Sequence, residues 1–116
     1  MKTIAELNAL IPELISLVHS LDPQIGKSEY DTDEDGVGLN NEYASNYVVY
    51  DKNGWEIAID FECCGKYEDG EVVNAWGRLT DLSACHYDEK TDEYSDFNDD
   101  DLGEIWKALE LELEHM

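Results

Sequence analysis

Apolar residues recur every three or four positions through Ile4, Leu7, Leu10, Ile11, Leu14, Leu17, Val18 and Leu21. That spacing places one apolar stripe along a helix and predicts helix over the first 21 residues. Thr3 followed by Glu6 has the form of a capping box, each side chain answering an orphan backbone N–H. Pro12 interrupts the stripe. It removes one intrahelical hydrogen bond and crowds the preceding turn, which predicts a kink or two short helices with Pro12 in the first turn of the second. Asp22-Pro23 ends the element.

Residues 22–42 hold three glycines and a cluster of acids, and read as loop. The period then changes to two. Tyr43–Asp51 is aromatic and β-branched, Lys52-Asn53-Gly54 is a hairpin turn, and Trp55, Ile57, Ile59 and Phe61 alternate with Glu56, Ala58, Asp60 and Glu62. Glu68-Asp69-Gly70 turns again, before strands over 72–80 and 82–88 and a hairpin tip between Tyr87 and Tyr94. A last helix starts near Asp99–Asp101, with Leu102, Ile105, Trp106, Leu109 and Leu113 as its stripe. The predicted fold is α+β. One domain spans 1–116, with an N-terminal helix, an antiparallel β-meander of three to five strands, and a C-terminal helix packed on the same sheet face. Leu14, Leu17, Trp55, Ile57, Ile59, Phe61, Ile105, Trp106 and Leu109 are the predicted shared core.

Charge alters this ordinary picture. The 116 residues carry 29 Asp plus Glu against 7 Lys plus Arg, a formal net charge of −22. Such a chain repels phosphate, so direct nucleic-acid binding and docking on an anionic membrane are excluded. Its partner is expected to be positive, either a basic protein or a cation. No apolar run approaches the ~18 residues that span a bilayer, and Glu6 breaks the stretch a signal peptide would need. Cys63, Cys64 and Cys85 are an odd number, two of them adjacent, which does not suit a secreted disulfide framework. The expectation is a cytoplasmic, monomeric protein with reduced thiols.

Asp31, Asp33, Asp35, Gly36 and Glu42 satisfy the calcium-loop pattern of the EF-hand. Gly38 and Leu39 depart from that family at its eighth and ninth loop positions, and neither flank reads as helix. In a chain this rich in acids, the favoured reading of these residues is a solvated loop, so no metal or other cofactor is expected. Cys63, Cys64, Cys85 and His86 lack the two-residue gap of a zinc knuckle, and adjacent strand residues face opposite ways. His19, beside the apolar stripe of the first helix, and His115 read as structural or exposed rather than catalytic. With no phosphate loop, nucleophile elbow or cluster of bases, an enzyme is not expected.

The acids themselves remain. They gather at Glu29, Asp31, Asp33, Glu34 and Asp35, and at Asp88, Glu89, Asp92, Glu93, Asp96, Asp99, Asp100 and Asp101. Glu56, Asp60 and Glu62 add outward carboxylates on a strand, ~6.5–7 Å apart at alternate positions. A charge of −22 exceeds the roughly 2 to 8 units that solubility needs and costs self-repulsion. In size, charge and α+β texture the chain resembles the small acidic DNA-mimic proteins of bacteria and phages. That resemblance implies a carboxylate surface occupying the DNA-binding site of a basic protein, such as a histone-like nucleoid protein. The hairpin and loop acids from Asp88 to Asp101 are the leading contact set, and Glu29 to Asp35 the second. An immunity-type inhibitor of a basic toxin enzyme is the alternative, and a Ca²⁺-binding module the third.

Overall fold

The computed structural model describes residues 2–33 and 36–114, with the backbone alone for 29–33 and 36–40. Thr3 caps the first helix, α1 (Ile4–Asn8). Its hydroxyl accepts from the Glu6 N–H, and the Glu6 carboxylate accepts from the Thr3 N–H in return. The chain then breaks and restarts as α2 (Ile11–His19), with Pro12 in the first turn, where its missing N–H is no loss. The break expected at Pro12 is therefore a division into two helices.

Strands follow: β1 (Gly26–Asp33), β2 (Gly36–Asn41), β3 (Ala44–Lys52), β4 (Trp55–Glu68), β5 (Glu71–Asp88) and β6 (Glu93–Asp96), then the last helix, α3 (Gly103–Glu114). β3 to β6 form the expected antiparallel meander. Asn53-Gly54 and Asp69-Gly70 have positive φ at both positions, the conformation a two-residue hairpin turn requires. β5 is one strand of 18 residues rather than two. Thr80 is left over where Phe61 pairs with Leu79 and Asp60 with Asp81, so the chain bulges there without turning. At ~3.4 Å per residue β5 alone spans ~60 Å, close to the 64 Å long axis of the molecule.

The loop expected over 22–42 is a second hairpin. β1 and β2 pair antiparallel, with Tyr30 opposite Leu39 and Thr32 opposite Val37. This hairpin joins the meander through two parallel pairs, Gly26 with Cys64 and Lys27 with Gly65, so the sheet is mixed, with six strands among the described residues. Strand-forming residues alternate with acids and glycines here, and the charge conceals the period.

All three helices cover one face of the sheet. Leu7, Leu14, Val18, Ile105, Leu109 and Leu113 meet Trp55, Ile57, Ile59, Phe61, Cys63, Leu79 and Leu82 in one core, with Leu17 and Trp106 packed at its margin. Polar ties hold the helices in place: the Tyr50 hydroxyl donates to Glu13 at 2.8 Å, and His19 Nε2 lies 2.7 Å from Glu112. No helix among the described residues is long and apolar enough to cross a membrane.

Candidate functional site

The pleat sends odd-numbered β4 residues from Trp55 to Cys63 into the core and even-numbered ones to the opposite, helix-free face. Register then fixes ranks of neighbours across that open face. Asp51, Glu56, Cys85 and Asp96 form one rank over four strands; Val49, Ala58 and Ser83 form the next. Tyr47, Asp60 and Asp81 form a third, and Ser45, Glu62 and Arg78 a fourth. Neighbouring strands lie ~4.8 Å apart, so carboxylates in a rank are close enough to repel. The Cys85 thiol registers this. Burial pushes its pKa up, and the nearby negative charges of Glu56 and Asp96 push it further.

Arg78 is the only base in these four ranks. Its Nε donates to the Glu62 carboxylate at 3.0 Å, and its guanidinium lies 4.0 Å from the centroid of the Tyr43 ring. Trp76 Nε1 donates to the Tyr43 hydroxyl at 3.3 Å and steadies that ring. Aromatics stand at the other end too. Tyr87 and Tyr94 pair across β5 and β6 with centroids 4.6 Å apart, and the Tyr87 hydroxyl donates to Asp92 at 2.7 Å. That hydrogen bond is the main cause of the raised Tyr87 pKa. Tyr47 and Tyr94 are 64% and 65% exposed, large rings left in water on this face.

The leading acidic set does not share a face. Asp96 belongs to the open face. Asp88 and Glu93 pair on the helix side, around a polar pocket with Lys2, Glu6, His86 and Ser95. Backbone N–H donation from Lys90 holds the Asp88 carboxyl below its ordinary pKa. Glu89 and Asp92 occupy the exposed β5–β6 turn. Asp99, Asp100 and Asp101 lie in the turn entering α3, where the Asn98 and Asp101 side chains each accept from the other's backbone N–H. In the second set, Glu29, Asp31 and Asp33 lie on β1, and Glu34 and Asp35 lie outside the described residues.

The calcium pattern therefore falls on a β-hairpin, with Asp31 opposite Gly38 and Asp33 opposite Gly36. Strands stand where an EF-hand has helices, and Glu42 follows β2 with its N–H donating to the Lys27 carbonyl at 2.8 Å. Among the described residues no three His, Cys, Asp or Glu side chains converge as a metal-holding group. His86 is buried against Trp55, its Nε2 3.0 Å from the Asn53 carbonyl, an arrangement that serves the β3–β4 turn.

Cys63 and Cys64 are buried on opposite faces of β4 and Cys85 is half-buried on β5. Burial, with a smaller push from Cys64, raises the Cys63 pKa from 9.0 to about 11. In the native protein Cys85 is expected to alkylate first and Cys63 only after unfolding, as mass spectrometry of iodoacetamide-treated protein at pH 8 would read. The linkage has a definite sign. Stability present below about pH 9 falls as the pH rises toward 11, because the unfolded chain ionises this thiol first. Rapid native labelling of Cys63 would contradict its burial.

Asp51 and Asp81 escaped the sequence reading because each is an isolated acid, outside the acid-rich runs. Strand alternation carried across β3 and β5 was the signal that could have found them. Compared with known proteins, the chain matches no family model, no curated protein and no solved structure.

Proposed function

We propose that this protein is a DNA mimic, a binding protein whose carboxylates occupy the nucleic-acid site of a basic partner. The observation that carries this reading is the open sheet face, where Asp51, Glu56, Asp60 and Asp96 stand in ranks that no helix covers among the described residues. Like charges placed opposite one another cost stability, and a positive partner would offset that cost. The overall proportions add support. A net charge of −22 along a 64 Å axis is one per about 3 Å; one strand of duplex DNA carries one per ~3.4 Å of axis. A nucleoid protein of the histone-like kind has the complementary chemistry, and no catalytic step is part of the role.

The immunity-type reading draws on the exposed rings of Tyr47 and Tyr94, which would serve as buried anchors against one enzyme surface. Salt separates the two. A mimic binds through many screened contacts, so its affinity for the partner should fall by about tenfold or more between 50 and 200 mM salt. It should also exclude DNA from that partner. Capture of basic host proteins at low salt, followed by a salt titration and a DNA competition assay, provides the measurement. Flat affinity over that range, or a ternary complex with DNA, would end the mimic reading.

A further inference from the structure

Resting on that basic-partner reading, we infer that the open sheet face is the docking surface and that its occupant is an arginine-bearing segment, each guanidinium held between a carboxylate and a tyrosine ring. The chain supplies its own example. Arg78 lies on this face with its Nε on Glu62 at 3.0 Å and its guanidinium 4.0 Å from the Tyr43 centroid. That is the geometry in which the planar cation uses its edge for the carboxylate and its face for the ring. One rank away the same pair recurs without a base, with Asp60 directly opposite Tyr47. Two ranks further, Asp51, Glu56 and Asp96 contribute three carboxylates and no cation. The rank between them is Val49, Ala58 and Ser83, small side chains over which an incoming segment can lie close to the sheet.

Charge complementarity selects a cation, and the exposed rings select its type. Lysine presents a compact, strongly hydrated point charge, which gains little from a ring in water. Arginine is less strongly hydrated, forks onto carboxylates and stacks on aromatic faces. Tyr47 lies 64% exposed beside Asp60, with no intramolecular cation opposite it in the rank. The leading acidic set of the hairpin and the α3 turn, Asp96 excepted, is then a source of steering field rather than of contacts.

The probes are an oligoarginine peptide and an oligolysine of equal length, with binding read by fluorescence anisotropy at physiological ionic strength. Two variants carry the same change in charge. Glu56→Gln/Asp60→Asn/Asp96→Asn removes three carboxylates from the open face, and Glu89→Gln/Asp99→Asn/Asp100→Asn removes three from the turns. The first should weaken oligoarginine binding about tenfold and the second by no more than about twofold. Tyr47→Ala should weaken oligoarginine selectively and bring it toward oligolysine. These positions are solvent-facing, so the melting temperature of the face variant should hold or rise as repulsion is relieved. Equal weakening by the two triple variants would overturn the docking surface while leaving the mimic reading intact, provided partner and DNA still exclude each other. Equal affinity of wild type for the two peptides would overturn the arginine preference.

Discussion

Phe61→Ala is expected to lower the free energy of unfolding by about 3–5 kcal/mol. Phe61 is 1% exposed and is the largest fully buried side chain among the described residues. It sits beside the β4–β5 bulge, opposite Asn46 on one side and Leu79 on the other, under the layer formed by the helices. Truncation removes a ring's worth of apolar burial and leaves a cavity. Two long paired strands on one side and helices on the other cannot collapse fully to fill it. A domain of this size holds roughly 5–15 kcal/mol in all, so the variant should unfold at much lower urea, with its m-value unchanged if the transition stays two-state. Ile59→Ala, at a fully buried neighbouring position, should cost ~2–5 kcal/mol. Asp60→Asn lies between them on the other face and should cost nothing or stabilise slightly, since it removes a carboxylate opposite Asp81. This alternation tests the pleat directly. Similar losses at 59, 60 and 61 would mean that β4 does not divide the molecule into a packed face and an open one.

The same division explains what could be read from sequence. The helices, the break at Pro12, the Thr3–Glu6 cap and the Asn53-Gly54 turn are local features, decided by residues within a few positions. The core followed from two periodicities, and Ile57, Ile59, Ile105 and Leu109 meet as those periods require. The β1–β2 hairpin was hidden because its alternation runs between β-formers and carboxylates or glycines, residues that also mark loops. The open face was hidden for another reason. Asp51 and Glu56 flank the Asn53-Gly54 turn, but Asp96 lies far from both in sequence, and only non-local register through Cys85 brings it into their rank. Acid density along the chain pointed to 88–101, where the pleat and the turn send the carboxylates in different directions. A surface built from ranks is visible only after the strands are paired.

Gly26→Ala carries the second large effect, and its signature differs from that of Phe61→Ala. Gly26 opens β1 beside Cys64, at one of the two parallel pairs joining the β1–β2 hairpin to β4. A β carbon there would run into the Glu42 carbonyl and lie 3.0 Å from the Ala44 backbone nitrogen. Both obstacles are main chain, so no side-chain rotation can make room. The Glu42 N–H also donates to the neighbouring Lys27 carbonyl at 2.8 Å, which fixes the two segments at that distance. Relief must come from moving the start of β1 away from the Glu42–Ala44 segment, which strains its parallel pairing with β4, at a cost of about 3 kcal/mol, the upper end of what overpacking usually imposes. The loss should be local. Near the joint, the Tyr67 hydroxyl donates to the Ile25 carbonyl at 2.9 Å and the Lys27 ammonium lies 5.7 Å from the Tyr67 ring. Among the residues whose side chains are described, the core of β3–β5 and the helices contains none from β1 or β2. Hydrogen exchange should therefore show early loss of protection at Lys27 and Glu42, with protection retained at Ile57 and Ile59. Gly70→Ala provides the contrast. Its φ is +83° and nothing lies within 4 Å of the added carbon, so only backbone strain opposes it, about 1–2 kcal/mol. If Gly26→Ala is no more costly than Gly70→Ala and leaves exchange at Lys27 and Glu42 unchanged, the hairpin does not dock on β4 through this glycine.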